Sequence, residues 1–294
     1  MKVYFLTPWK NPKEYLEELK DLTPDYSGKW NNLEGTDNII EADIIVILEK
    51  LTIENYHGRY FKDKIIICFP REPLIDPIKN YEVACFKYGM TYKNFYHVLT
   101  RPNFINKSYN QLIKLKYTNR EKILSTIVSN KNFGITYNER INFIKKLSKQ
   151  NICDIYGAGW NKKTLGCSFK GALCGYHQKV NDSSKTKYDA LVEYKYSLCI
   201  ENCQKENYFS EKFTDAILSY TIPIYYGCTN IDKYFPVNSF YTIDINSPNV
   251  FQEIKNIIAK DITNENIKAL EEARNLILNK YNIWSSIENI LSVD

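Results

Sequence analysis

Residues 194–244 constrain the fold more than any other part of the chain. A short apolar run at 196–201, built of Tyr, Leu, Cys and Ile, reads as a buried strand. A polar loop at 202–208 follows it. Phe213, Ala216, Ile217 and Tyr220 then recur at i, i+3, i+4 and i+7, which is one apolar face of a helix, with Ser210 in the N-cap place. Residues 223–227 return to a strand-like run ended by a glycine. Strand, polar loop, helix and strand make a βαβ unit. Such a unit puts a ligand at the carboxyl end of its first strand, beside the helix N-terminus. Asn202, Tyr208, Glu211 and Lys212 all fall there. Taken singly they are ordinary residues: a Glu-Lys pair at a helix start is commonly solvated, and Asn after a strand is turn chemistry.

Other strands support an α/β chain. The runs at 42–48 (ADIIVIL) and 64–69 (KIIICF) are continuously apolar and rich in β-branched residues, as in a parallel sheet covered on both faces. Residues 1–8 read as a first strand and 14–22 as a short helix. Glu72 follows the 64–69 run after Pro70 and Arg71, at a strand's carboxyl end, and Pro73 and Pro77 keep the next turn from being helical. A linker near 116–121 precedes a second series: a strand at 122–130, a helix at 137–149 carrying Arg140 near its start, and a glycine-bearing turn at 154–160. Residues 161–186 show no period and read as a loop. Residues 188–194 read as a short helix, and two helical segments follow at 250–260 and 264–291. The domain boundaries expected are 1–118 and 119–294.

The 294 residues allow two domains of ordinary size, and 44% hydrophobic and 25% charged residues fit globular cores. Net charge is +5 and dispersed, without the clustered Lys/Arg of a nucleic-acid surface. No apolar run reaches 18 residues, and the start of the chain is too polar for a signal peptide, so a cytoplasmic protein is expected. Of eight cysteines, Cys68, Cys85 and Cys199 sit inside apolar runs and read as buried free thiols. No zinc-type spacing and no Asp-x-Asp at a strand end point to a metal.

Together the motifs resemble the donor-binding region of the family 10 glycosyltransferases, the α1,3/4-fucosyltransferases. That pattern runs YKFxLxFENS, a loop, Y-[VI]-T-E-K, a helix, [VI]P[VI]Y-G and NI-x-x-[FY]-x-P-x-x-[SA]-F. Here it stands as YKYSLCIENC, NYFSEK, IPIYYG and NIDKYFPVNSF, with Ser210 for the usual Thr and Cys203 for the usual Ser or Thr. Two weaker matches are Phe86–Tyr92 (FKYGMTY) and the Arg140, Phe143, Leu147 interval.

The resemblance implies a GT-B fold: two Rossmann-like domains with parallel sheets facing a central cleft, an acceptor-side domain at 1–118 and a donor domain at 119–294 whose last helix crosses back. It also implies inverting, metal-independent transfer of L-fucose from GDP-fucose to a hydroxyl of an acceptor glycan, GlcNAc or Glc, in α1,3 or α1,4 linkage. Glu72 would be the general base. Arg140 and Lys212 would neutralise the diphosphate, and Asn202, Tyr208 and Glu211 would meet the sugar. No cofactor or metal would be needed. Two other readings stay open on sequence: the same scaffold with another GDP-deoxyhexose or a UDP-acetamido sugar, and a non-catalytic sugar-nucleotide binding module.

Overall fold

The computed structural model describes residues 1–48, 64–69, 92–95, 104–132, 135–174 and 185–292, with backbone only at 92–95, 135 and 136. The chain packs as two units. One comprises Met1–Lys114 with Leu278–Asp294, and the other Leu115–Ile277. No helix among the described residues is long and apolar enough to cross a membrane.

The first unit is built on β1 (Lys2–Leu6), β2 (Lys29–Trp30), β3 (Leu33–Gly35), β4 (Ile44–Leu48), β5 (Ile65–Phe69) and β6 (Tyr92–Phe95), in the order β2-β3-β1-β4-β5-β6. The two continuous apolar runs are the parallel neighbours β4 and β5, in register from Ile44 opposite Ile65 to Leu48 opposite Phe69. Burial on both faces explains why neither run alternates. Tyr4, Leu6, Ile45, Ile47, Ile66 and Cys68 form one cluster on a single side. Each fully buried aliphatic there contributes about 1.5–3 kcal/mol. Sequence reading missed β2 and β3, an antiparallel hairpin of two and three residues, too short to show a period.

Helix α1 (Pro12–Lys20) starts before the expected residue 14, because Asn11 caps it by accepting from the Glu14 amide at 2.9 Å and Pro12 takes the first helical place. A short helix, α2 (Tyr109–Lys114), closes the N-terminal part of this unit.

The second unit runs β7 (Lys122–Ile127), α3 (Ile135–Ser148), β8 (Asp154–Tyr156), α4 (Lys162–Leu165), β9 (Phe169–Gly171), α5 (Asp189–Val192), β10 (Tyr194–Ile200), α6 (Glu211–Leu218), β11 (Ile222–Tyr226), β12 (Tyr241–Thr242) and α7 (Val250–Ile258). Its sheet order is β12-β11-β10-β7-β8-β9, with every pair parallel. The chain moves outward from β7 to β9, returns to β10 on the other side of β7, and moves outward again. That is the Rossmann order, and its switch point lies between β7 and β10. Within the 161–186 stretch read as a loop, the described part carries α4 and the edge strand β9.

The α6 helix ends before Tyr220, which sequence periodicity placed on its apolar face. Tyr220 adopts φ 58°, the Thr221 amide donates to Ala216 O and the Tyr220 amide to Ile217 O, a Schellman-type stop. A tyrosine in that left-handed place costs about 1 kcal/mol. Its ring is covered by the Arg274 guanidinium at 4.0 Å, and Arg274 also donates to Leu218 O. The C-terminal carbonyls of α6 are thus met by a cation.

The segment expected as one helix over 264–291 is two: α8 (Asn264–Asn279) and α9 (Ile283–Ser292). Asn282, fully buried, makes the break. Its amide nitrogen donates to Leu22 O at 2.7 Å and to Leu278 O at 3.3 Å, and its oxygen caps α9 by accepting from the Trp284 amide at 3.2 Å. Helix α9 then belongs to the first unit, where Trp284 stacks edge-on against Phe5 at 5.1 Å and its Nε1 donates to Leu19 O at 3.0 Å. Asn282→Ala is expected to cost about 2 kcal/mol, from the lost cap and an orphaned Leu22 carbonyl, measurable as a lower urea midpoint.

Candidate active site

The carboxyl ends of β7, β8 and β10 and the N-terminus of α6 converge in the second unit on a cavity of about 230 Å³. Gly157, just past β8, makes this approach possible. Its φ is 146°, and a Cβ there would lie 1.9 Å from the Val128 carbonyl oxygen, so no side chain fits between the two strand ends. Val128 O also accepts from Trp160 Nε1 at 2.9 Å.

Arg140 projects into this cavity from α3, and lies further into the helix than the sequence suggested, since α3 begins at Ile135. It is 4% exposed. Its Nη1 donates to the Asn202 side-chain oxygen, and its Nη2 reaches the carbonyls of Ser129 at 3.5 Å and Lys131 at 3.4 Å. The Tyr137 ring lies under the guanidinium at 5.0 Å, and the Tyr137 hydroxyl accepts from Asn202 Nδ2 at 2.9 Å. Among the described residues Nε has no partner. Desolvation lowers the guanidinium from its ordinary value. No described carboxylate forms an ion pair with it either, leaving a buried cation held by neutral groups.

Lys212 is held differently. Its Nζ lies 3.2 Å from Glu201 Oε2, 3.1 Å from Ser210 Oγ and 3.8 Å from Glu211 Oε1. Glu201 is the residue that sequence reading passed over. It sits one place beyond β10, is 1% exposed, and its carboxylate takes the Ser210 amide at 2.7 Å and the Ser210 hydroxyl at 2.8 and 2.7 Å. Ser210 caps α6 as expected, its oxygen accepting from the Lys212 amide at 3.4 Å.

Lys187 and Asp215 were missed too. Lys187 Nζ lies 2.9 Å from Asp215 Oδ2 and 3.7 Å from Glu211 Oε1, with both carboxylates nearly buried. Lys187 directly follows the stretch without a period, so no local pattern marks it. Asp215 lies one turn after Glu211 on α6, which is the signal that could have found it.

Of the sequence candidates, Arg140, Glu211 and Lys212 line the cavity together. Asn202 stands beside it with its amide engaged on Arg140 and Tyr137. Tyr208, 3% exposed, lies within electrostatic reach of Arg140. Glu72 and the Phe86–Tyr92 match, save the Tyr92 backbone, lie outside the described residues. Cys68, Cys153, Cys199 and Cys228 are buried, and desolvation pushes the Cys199 thiol up to about 12.

A Rossmann-ordered sheet whose switch point carries a buried guanidinium, an ammonium and a helix N-terminus is an arrangement able to hold an anionic group. The sequence profile of glycosyltransferase family 10 (fucosyltransferase), C-terminal part, matches residues 117–289, more than half of the chain. The chain belongs to that family. It is 44% identical over 59 residues to the alpha-(1,3)-fucosyltransferase FucT of Helicobacter pylori, covering 20% of this chain and 12% of that protein. It is 25% identical over 179 residues to mouse 4-galactosyl-N-acetylglucosaminide 3-alpha-L-fucosyltransferase 9, covering 60% of this chain and 44% of that one. The matches thus span less than half the length of these relatives. A crystal structure of an alpha1,3-fucosyltransferase with GDP-fucose aligns with all of this chain and 89% of its own, at 16% identity and a TM-score of 0.47.

Proposed function

We propose that the chain transfers L-fucose from GDP-fucose to a hydroxyl of an acceptor glycan, GlcNAc or Glc at the 3- or 4-position, with inversion and without a required metal. Arg140 carries this reading. A guanidinium buried with neutral partners, its Nε without a partner among the described residues, calls for an anion, and a diphosphate would supply one. Lys212 and the N-terminus of α6 would share the charge that grows on GDP as the C1–O bond to fucose breaks. Glu211, beside both lysines at the cavity wall, and Tyr208 would face the sugar. The acceptor oxygen would attack C1 from the opposite face while Glu72 takes its proton. Cations fixed by the fold do here what a divalent ion does in metal-dependent transferases.

Thermal unfolding in EDTA, with and without GDP-fucose, GDP, UDP and UDP-GlcNAc, tests the reading. GDP-fucose at 100 times its dissociation constant should stabilise the protein by about 2.7 kcal/mol, and the uridine compounds should not. Stabilisation by uridine compounds alone would overturn the donor. A GDP-fucose shift that appears only with Mg²⁺ or Mn²⁺ would overturn the metal-free mechanism.

A further inference from the structure

We propose that Glu201 is a positioning residue for the diphosphate site: buried out of reach of any ligand, it acts through Lys212 by fixing the ammonium and the helix cap together. This rests on the reading of the cavity as a diphosphate site. Four contacts carry the inference. The Glu201 carboxylate receives the Ser210 amide, the Ser210 hydroxyl on both oxygens, and Lys212 Nζ at 3.2 Å. Ser210 Oγ in turn lies 3.1 Å from Lys212 Nζ. One side chain thereby ties the end of β10 to the first turn of α6 across the intervening loop.

The fold makes room for it. A Cβ at Gly227 would lie 2.4 Å from Glu201 Cγ, so the neighbouring strand end has to pass without a side chain. The backbone is committed as well, because the Glu201 amide donates to Tyr226 O at 2.8 Å. The residue after it, Asn202, holds Arg140, so adjacent residues aim the two cations, one each.

The sign of the effect separates positioning from mere charge. Glu201 places a negative charge behind an anion site. By field strength alone, Glu201→Gln should tighten anion binding. If Glu201 instead holds Lys212 in place, the same change should weaken it.

The test is calorimetric titration of inorganic pyrophosphate and of GDP into the wild-type protein, E201Q, K212A and the double variant, in EDTA. Expected are about tenfold weaker pyrophosphate and GDP binding in E201Q, and a double variant within about twofold of K212A, since Glu201 has nothing left to position. Should E201Q fail to fold, Ser210→Ala severs the hydroxyl between Glu201 and Lys212. It should weaken pyrophosphate binding several-fold in the wild-type background and not in K212A. Tighter or unchanged binding in the single variant, or additive losses in the double, would overturn the proposal. Wild-type protein that takes pyrophosphate but not GDP, with the cycle as expected, supports the positioning role and overturns the nucleoside assignment. Wild-type protein that takes neither overturns both.

Discussion

Arg140→Lys is expected to lower the rate of fucosyl transfer at subsaturating GDP-fucose by about 10²–10³-fold, although the charge is kept. The guanidinium uses its planar fork on Asn202 and on the Ser129 and Lys131 carbonyls while stacking on Tyr137. A lysine ammonium is a point charge on a flexible stem. It cannot meet these groups and still present a fixed face to the two phosphates. The loss should be larger for GDP-fucose than for any acceptor's KM, because the proposed contact is to the leaving group. Arg140 is buried, so an unfolding scan of the variant must accompany the kinetics. A folded Arg140→Lys protein with transfer within twofold of wild type would remove Arg140 from the donor site.

Glu72→Gln should lower kcat by about 10²–10⁴-fold while GDP binding stays within a few-fold of wild type. The carboxylates at the described cavity argue for a base from elsewhere. Glu201 is enclosed and committed to Ser210 and Lys212, Asp215 is paired with Lys187, and Glu211 lies between Lys187 and Lys212. Each is engaged by an ammonium group. Glu72 follows the apolar strand β5 at its carboxyl end in sequence, and it is the base that the family resemblance implies and that the variant tests. Full activity in the glutamine variant, measured as GDP release that depends on acceptor, would return the search to Glu211.

How much of this was legible in the sequence depended on period and length. The β10–α6–β11 unit was readable because seven-, eight- and five-residue elements carry a full period each. The β2–β3 hairpin and β9 were not, since two or three residues at a sheet edge carry none. The break between α8 and α9 was hidden because apolar positions continue through it at Leu278, Tyr281 and Ile283. Asn282 stops the helix by reaching Leu22, 260 residues away in sequence, a contact no local pattern contains. Arg140, Glu211 and Lys212, which motif spacing singled out, line one cavity together. Glu201 was in plain view inside the same motif, at the end of the 196–201 run read as a buried strand, but no local pattern set it apart from the rest of that run. What marks it is burial, and burial belongs to the assembled sheet.

The division of the chain also sets an order of assembly during synthesis. Unit Leu115–Ile277 is continuous and contains every strand of its sheet, so it can close as soon as it has left the ribosome. The unit made first cannot. Phe5 and Leu19 are translated long before their partner Trp284, which lies 265 residues after Leu19. Strand β1 and helix α1 therefore wait, with apolar surface uncovered, until α9 arrives. A ribosome that stops before residue 283 would release a finished second unit joined to a first unit lacking the helix that seals it.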